Sequence, residues 1–475
     1  MKRYQVGLLA IASASLSSAC MTMGHDMDEM GVPPLIDIGS SSAPFEAPTA
    51  ENTSTKPGEV SYELEARVAR IALADGHWAS MWTYNGSMPG PTLEARVGDR
   101  IRVHLTNSLP VATTVHWHGM RLPADMDGVP GPQTTIAPGA DFTYEFTALD
   151  AGTFWYHPHV SSAEQVERGL YGAIVVRDDK EPEVTGEHVA VLDDVLLADD
   201  GELARFSTSP MQAMVGRQGN VLLVNGRARP SLAVVPAGLH RFRFVDAATA
   251  RYFRLSLGGQ AFHVIGFGSG KLAVPQQVTE LLLVPGARAD VLVEAPAEGT
   301  LNWTALSYDR GHGTAGASAG GLFSVALAGD AAEPVALPDE FEPIEALGAP
   351  DRTRTLVLGE TMKMHSGPVF SINDKVFPDG ETFTSSIGQI EDWKIRNDTT
   401  MDHPFHVHGF RFQVVAENGR ATTPSSFFDT INVPARQTLT LRIPLEANPG
   451  MWMFHCHILE HAERGMMGTL EVNEP

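Results

Sequence analysis

The segment from His455 to Met466 constrains this chain more than any other stretch of its sequence. Its twelve residues, HCHILEHAERGM, include one cysteine, three histidines and one methionine. Cysteine, histidine and a weakly bound methionine form the ligand set of a blue-copper electron-transfer site. Cys456 lies between His455 and His457, and neighbours on an extended strand point to opposite faces. The cysteine can therefore bind one metal centre while the two histidines bind another behind it.

Histidine pairs recur elsewhere in the chain. Three more His-x-His pairs are His116-Trp117-His118, His157-Pro158-His159 and His406-Val407-His408, and His403 precedes the last of them. A spacing of two residues puts both imidazoles of a pair on one face of a strand. One such pair is more often two surface histidines or part of a zinc site. Four pairs, one of them around a cysteine, indicate a larger metal centre.

The four motifs HWHG, HPH, HPFHVHG and HCHILEHAERGM resemble those of the three-domain multicopper oxidases, which include laccases, bacterial cuprous oxidases and bilirubin oxidases. The similarity of layout runs from about residue 60 to the end of the chain. The resemblance implies an all-β fold of three cupredoxin-like Greek-key β-sandwich domains. It also implies four bound copper ions, one of type 1, one of type 2 and two of type 3.

The same resemblance assigns a ligand to every copper position. The type 1 ligands are His403, Cys456, His461 and Met466, the type 2 ligands are His116 and His406, and the type 3 ligands are His118, His157, His159, His408, His455 and His457. Met467 is an alternative axial ligand of the type 1 ion. The five-residue step from His461 favours Met466.

The distribution of strand patterns and motifs predicts the domain organisation. Short strands at regular spacing favour β-sandwiches, and we expect such domains over 58–180, 181–330 and 353–475, with a linker over 331–352. The copper motifs fall in the first and last domains. Their histidines can form one cluster only if those two domains meet, which leaves the middle domain as a spacer.

The N-terminus has the features of an export signal over residues 1–20. Lys2 and Arg3 precede a short apolar run that ends in small residues before Cys20, and this run is too short to span a membrane. A lipoprotein processing site at Cys20 predicts attachment to a membrane through a lipid. Ordinary cleavage near Ala19 is the alternative. Either route predicts a periplasmic or cell-envelope location.

Residues 21–57 are predicted to be disordered because they are rich in Pro, Ser, Thr and Glu and poor in large apolar groups. The part from 21 to 30 carries four methionines and one histidine. Thioethers select Cu(I), so this part is either a copper-collecting tether or an inert polar linker.

The net charge of −23 argues against nucleic acid as a partner. The partners implied by the resemblance are O2 and an electron donor, either a small molecule or a metal ion, and we expect a monomer. Only two cysteines are present. Since one of them is assigned to copper, no internal disulfide is expected.

Acidic residues near the motifs are candidates for proton delivery to O2. Asp127 follows the first histidine pair and matches the family's acidic residue near the trinuclear site. The alternative is a turn aspartate before a glycine. The position after His461, often acidic in relatives, is Ala462, and whether Glu463 replaces that acid is left open.

Substrate choice rests on methionines around the type 1 ligands. Met401 stands where bacterial cuprous oxidases place a methionine that binds the substrate ion, but their nearby aspartate is Thr399 here. Met362 and Met364 form another soft cluster. The long methionine-rich insertion of some cuprous oxidases is replaced by a small Gly/Ala loop over 311–321, which predicts a type 1 edge more open to organic donors.

These observations predict a multicopper oxidase that oxidises Cu(I), phenolic compounds or both, with a role in copper tolerance. Two alternatives remain. One is a laccase-like phenol oxidase without a cuprous oxidase role. The other is a copper-sequestering periplasmic protein without catalytic activity.

Overall fold

The computed structural model describes residues 32–206, 209–312, 314, 319–364, 367–446 and 448–475. Strands make up 49% of the chain and helices 5%, so the predicted all-β class is confirmed. In these described ranges, no helix combines the length and apolarity that a bilayer crossing requires. The predicted export signal, Cys20 and the Met/His segment 21–30 lie outside the described residues.

The first sandwich is built from two four-stranded sheets. Its strands are β1 (Glu59–Ala74), β2 (His77–Tyr84), β3 (Gly90–Arg96), β4 (Arg100–Asn107), β5 (His116–His118), β6 (Asp141–Thr147), β7 (Gly152–His157) and β8 (Gly172–Arg177). The sheets have the orders β2-β1-β4-β6 and β3-β8-β7-β5. Trp117, Tyr144 and Tyr156 fill the core between them.

The middle sandwich packs a six-stranded sheet on a five-stranded one. Its strands are β9 (Gly186–Val195), β10 (Val221–Val224), β11 (Ser231–Val234), β12 (Leu239–Asp246), β13 (Phe253–Ser256), β14 (Phe262–Phe267), β15 (Gly270–Val278), β16 (Glu280–Leu283), β17 (Arg288–Glu294), β18 (Thr300–Leu306) and β19 (Gly320–Leu327). The orders are β10-β9-β12-β17-β14-β15 and β11-β19-β18-β13-β16. Trp303 packs against Phe242, Phe244 and Phe323 in its core.

The third sandwich repeats the six-plus-five arrangement. Its strands are β20 (Arg352–Lys363), β21 (Gly367–Ile372), β22 (Thr382–Ser386), β23 (Ile390–Asn397), β24 (His403–Val407), β25 (Gln413–Glu417), β26 (Arg420–Ala421), β27 (Thr430–Val433), β28 (Thr438–Pro444), β29 (Gly450–Cys456) and β30 (Met467–Asn473). The orders are β21-β20-β23-β28-β25-β26 and β22-β30-β29-β24-β27.

Three short helices lie beside the predicted metal ligands. They are α1 (Ser162–Glu167), α2 (Pro210–Val215) and α3 (Leu459–Glu463). Helix α1 follows His159 and α3 follows His457, while α2 belongs to the middle sandwich. Strands β5, β7 and β24 are buried along their whole length. A strand is buried on both faces only where a second layer covers the face turned away from its own core.

The predicted disorder of 21–57 is wrong for residues 32–57. Val32, Ile38 and Phe45 in this segment are each at most 8% exposed. The backbone N–H of Ile36 also donates to Asn220 O at 2.8 Å. Polar composition understated the order because three apolar side chains suffice to anchor the segment to the surface of the sandwiches.

Candidate metal centre

The strand registers align the histidine pairs within each end sandwich. His116 stands opposite His157 in the antiparallel pair β5–β7, and His406 stands opposite His455 in β24–β29. Directly opposed residues share a face of the sheet. Cys456, opposite Phe405, points to the other face, as the alternation along the strand predicts.

The structure brings eight predicted copper ligands from the two end sandwiches into one cluster, here called the eight-histidine cluster. Its members are His116, His118, His157, His159, His406, His408, His455 and His457. Contacts across the interface are close: His118 stacks on His406 with ring centroids 3.8 Å apart, and His159 Nε2 lies 3.4 Å from His455 Nε2. Seven members are at most 1% exposed, and His159 is half-buried.

The donor atoms of this cluster fit metal ions. Buried ring nitrogens without a hydrogen-bond partner are His116 Nε2, His118 Nδ1, His157 Nε2, His406 Nε2 and both nitrogens of His457. Burial lowers the pKa of His118, His157 and His406 well below the ordinary value and that of His455 to about 4. These four imidazoles are therefore neutral at neutral pH, and imidazole lone pairs enclosed in this way suit copper.

Asp127 orients one predicted ligand from each end sandwich. Its carboxylate accepts from His116 Nδ1 at 3.1 Å and from His408 Nδ1 at 2.8 Å, and its backbone carbonyl also accepts from His116 Nδ1 at 3.0 Å. Metal-binding histidines usually donate their other N–H to such an acceptor, which fixes the ring and its tautomer. Asp127 is 1% exposed, so it is more than a turn residue.

Asp429 and Thr430 play a similar part, and the sequence analysis missed both. Thr430 Oγ1 lies 2.9 Å from His118 Nε2 and 3.0 Å from His406 Nδ1. The carboxylate of Asp429 lies 3.2 Å from His118 Nε2 and accepts two hydrogen bonds of 2.6 Å from Arg288. Asp429 stands 23 residues after His406 outside every histidine motif, so only the fold reveals its role.

A second group of predicted ligands lies on the other face of β29. His403 Nδ1 is 3.5 Å from Cys456 Sγ, His461 Nδ1 is 3.8 Å from the same sulfur, and the two ring nitrogens are 3.3 Å apart. Met466 is fully buried and its carbonyl accepts from Cys456 N at 3.1 Å. Burial raises the pKa of the Cys456 thiol to about 12, so the thiolate forms at neutral pH only beside a bound cation.

The outer nitrogens of this second group are capped. His461 Nε2 donates to the carbonyl of Met214 in α2 at 3.0 Å, and Phe370 stacks on the same ring at 3.8 Å. His403 Nε2 lies 2.9 Å from Thr399 Oγ1. Both histidines are fully buried, and the expectation that the 311–321 loop leaves the type 1 edge more open to organic donors stays a prediction.

The burial of Met401 argues against its predicted role as a ligand of an incoming substrate ion. Its side chain is fully buried in the core of the third sandwich, and an added Cβ on Gly311 would meet it at 2.7 Å. Gly311 therefore lies directly against Met401 Cα and Cβ. In contrast, Met362 and Met364 are 55% and 93% exposed.

The middle sandwich is more than the spacer that the sequence predicted. It supplies Arg288 to Asp429, the Met214 carbonyl to His461, and the backbone N–H of Arg217 to Glu460 at 2.9 Å. Burial raises the pKa of Glu460 to about 8. All three sandwiches therefore meet at the predicted metal ligands.

Glu463 ties two helices together. Its carboxylate accepts from Ala163 N at 3.0 Å and from Ser162 Oγ at 3.3 Å at the start of α1. These contacts join α3 of the third sandwich to the first sandwich. A role for Glu463 in proton delivery stays a prediction.

Comparison with known proteins gives a consistent result. Three family models described as multicopper oxidase match residues 65–181, 187–322 and 350–475. The multicopper oxidase MmcO of Mycobacterium tuberculosis is 32% identical over 97% of this chain and 94% of its own. A solved multicopper oxidase from Campylobacter jejuni, described as a metallo-oxidase, has a TM-score of 0.82 at 30% identity, covering 94% of this chain and 97% of its own. The laccase-like multicopper oxidase CueO of Ochrobactrum sp. has a TM-score of 0.81 at 26% identity, covering 90% and 100%.

Proposed function

This chain belongs to the multicopper oxidase family, and we propose that it couples one-electron oxidation of a substrate at a type 1 copper to four-electron reduction of O2 to water at a trinuclear copper cluster. As a member of this family, it is an oxidoreductase that binds copper and uses O2 with a reducing substrate. One observation supports the proposed coupling between the type 1 copper and the trinuclear cluster. Cys456 belongs to one buried ligand group, and its covalent neighbours His455 and His457 belong to the other.

We propose four copper ions on the donor sets described above. The type 1 ligands are His403, Cys456, His461 and Met466, the type 2 ligands His116 and His406, and the type 3 ligands His118, His157, His159, His408, His455 and His457. When bound, the ions supply one-electron redox chemistry and a binding site for O2. Neutral imidazoles with unpartnered nitrogens support this assignment.

The protein's own residues position the ligands and control access to them. Asp127 holds His116 and His408, and we propose that its carboxylate also carries protons toward the cluster, since a positioned acid is suited to that task. The tripeptide 455–457 provides the shortest covalent path between the two ligand groups. The caps on His403 and His461 keep water away from the cysteine sulfur.

The proposed substrates are Cu(I), phenolic compounds or both. Thr399, which contacts His403, is followed in the chain by the exposed Thr400. Thr400 Oγ1 lies 3.1 Å from Glu360 Oε1 and 3.2 Å from His312 Nε2. Burial acts to raise the pKa of Glu360, but hydrogen bonds from His312 and Thr400 lower it below the ordinary value. The Glu360 carboxylate and the His312 imidazole therefore lie near the surface, close to His403 of the proposed type 1 group.

This surface favours a metal ion as one substrate. Met362 follows Glu360 by two residues on β20, which places both on one face of the strand, and its thioether is exposed and suits Cu(I). The Campylobacter jejuni relative is described as a metallo-oxidase. The Ochrobactrum relative is described as acting on lignin model compounds, which supports phenolic donors as well.

The physiological setting is also a proposal. We propose a monomer with domains over 58–180, 181–330 and 353–475, exported to the periplasm or cell envelope, with a lipid on Cys20 as its membrane attachment. We also propose a role in copper tolerance, which rests on the proposed oxidation of Cu(I).

The test is O2 uptake by the copper-loaded protein with Cu(I), Fe(II), Mn(II), a phenol and bilirubin as separate donors. We expect four coppers per chain and oxidation of both Cu(I) and the phenol. Glu360→Gln should slow metal-ion oxidation selectively, whereas Met401→Leu, a change of nearly equal volume in the core, should not. Asp398→Asn is the matched control, since it removes one negative charge from the neighbouring loop.

The outcomes separate the alternatives. Full copper loading without O2 uptake would support copper sequestration instead. Ready oxidation of the phenol with hardly any oxidation of Cu(I) would favour the laccase-like function.

A further inference from the structure

The middle sandwich holds a pair of histidines outside both ligand groups. His240 on β12 stands opposite Gly186 on the parallel strand β9, and His188 follows Gly186 by two residues. This spacing puts both imidazoles on the face that carries Gly186. The rings are stacked, with centroids 5.6 Å apart and planes 24° apart.

Each of these rings has one buried nitrogen without a protein partner. These atoms are His188 Nε2 and His240 Nδ1. A Cβ on Gly186 would lie 2.9 Å from His240 Nδ1 and 3.3 Å from His188 Nε2. Both nitrogens therefore lie close to Gly186, on the side where a larger residue would carry its side chain.

The opposite nitrogen of each ring is fixed by an acceptor. His188 Nδ1 lies 2.8 Å from Glu46 Oε1, and His240 Nε2 lies 2.9 Å from the carbonyl of Val235. Carboxylates and carbonyls accept, so the ring protons belong on these two nitrogens. Their placement leaves lone pairs on His188 Nε2 and His240 Nδ1.

Two imidazoles with carboxylate or carbonyl acceptors behind them are the usual arrangement of metal-binding histidines. Burial lowers the pKa of His240, which keeps that ring neutral and able to bind a cation. His188 is 12% exposed and Glu46 49% exposed at the side chain.

We propose that His188 and His240 bind a further metal ion, Cu(II) in preference to Zn(II). Imidazole suits both ions, and nitrogen sites generally bind Cu(II) more tightly than other divalent ions of the first transition row. Water completes the coordination, since two protein ligands leave open positions. This ion is additional to the four that the proposed function requires.

The ion would fasten the N-terminal segment to the middle sandwich. Metal on His188 Nε2 polarises the Nδ1–H bond and strengthens its hydrogen bond to Glu46. Phe45, next to Glu46, is already buried in the core of the middle sandwich. An ion that binds only the folded chain also raises its unfolding midpoint.

The test uses the full chain, first loaded with copper at the oxidase sites and then titrated with Cu(II) or Zn(II). Gly186→Ala is the most direct variant because its methyl group would lie within 3.3 Å of both nitrogens while both imidazoles remain. His188→Gln removes one ligand, and Glu46→Gln removes the acceptor behind it. The control is His104→Gln, a partly exposed histidine bonded to Thr143.

Metal content after equilibrium dialysis, electron paramagnetic resonance and thermal unfolding are the readouts. We expect one more Cu(II) per chain in the wild type and in His104→Gln than in Gly186→Ala or His188→Gln, with a raised unfolding midpoint only where that ion binds. Glu46→Gln should weaken its binding roughly 10–100-fold. Any copper held by His25 is common to all variants and cancels in the comparison.

Equal Cu(II) content in the wild type and Gly186→Ala would overturn the proposal and leave a water molecule donating to both nitrogens. Tighter Zn(II) than Cu(II) binding would overturn the stated preference. Oxidase turnover should be the same in every variant. Absence of oxidase turnover in the copper-loaded wild type would instead count against the proposed function. Failure of this proposal and failure of the proposed function are therefore distinguishable.

Discussion

Replacing Asp127 by asparagine should slow O2 reduction because this carboxylate serves two histidines at once. Its two oxygens accept separately from His116 Nδ1 and His408 Nδ1. An asparagine side chain has one oxygen and one NH2 group. It can accept from only one histidine, and its NH2 then faces the N–H of the other.

The magnitude follows from these contacts. His116 Nδ1 keeps the Asp127 carbonyl as a second acceptor at 3.0 Å, so the loss falls mainly on His408. Exchanging a charge-assisted hydrogen bond for a neutral one costs about 1 kcal/mol, and the poor contact at the second ring adds about as much. A total of about 2 kcal/mol corresponds to a roughly 30-fold fall in turnover.

The assay is steady-state O2 uptake with a phenol, together with copper content and anaerobic bleaching of the blue band by the same donor. We expect Asp127→Asn to keep its copper and to bleach at the wild-type rate while O2 uptake falls. Asp125→Asn, an exposed neighbour, is the control. Turnover within twofold of the wild type would refute the reasoning, and slowed turnover with an unchanged pH profile would restrict Asp127 to positioning.

Three further predictions test other parts of the centre. Cys456→Ser should abolish the blue band and oxidase activity while most of the trinuclear copper remains, and a variant that stays blue would contradict the type 1 assignment. Arg288→Ala leaves the Asp429 carboxylate buried without its bidentate partner, so urea unfolding should show a loss of about 3–5 kcal/mol; an unchanged midpoint would mean that the pair contributes little. Without copper, the protein should lose stability as the pH falls from about 6.5 toward 4. Its buried histidines, such as His455 with a pKa of about 4, bind fewer protons when the chain is folded than when it is unfolded. Each such histidine therefore lowers the free energy of unfolding by about 1.4 kcal/mol for each pH unit of the fall. Thermal unfolding at stepped pH checks this, and copper loading should reduce the effect.

The sequence by itself determined the fold class and the separation of Cys456 from its two histidine neighbours. Both depend on the alternation of side chains along a strand, which is a local property of the backbone. The contact between the two end domains was also predicted, because the histidine pairs divide between those domains and can form one cluster only if they meet. The registers that set His116 opposite His157 and His406 opposite His455 came from the structure.

Only the tertiary structure decided what surrounds these ligands. Asp429 and Arg288 are 141 residues apart, and neither carries a local signal of its role. The burial of Met401 and the cap that Met214 places on His461 also depend on how loops of different sandwiches pack. Such contacts arise from the joint packing of three domains, which no short stretch of sequence encodes. The composition of residues 32–57 predicted disorder wrongly for the same reason. The surface that holds Phe45 is built by strands far away in the chain.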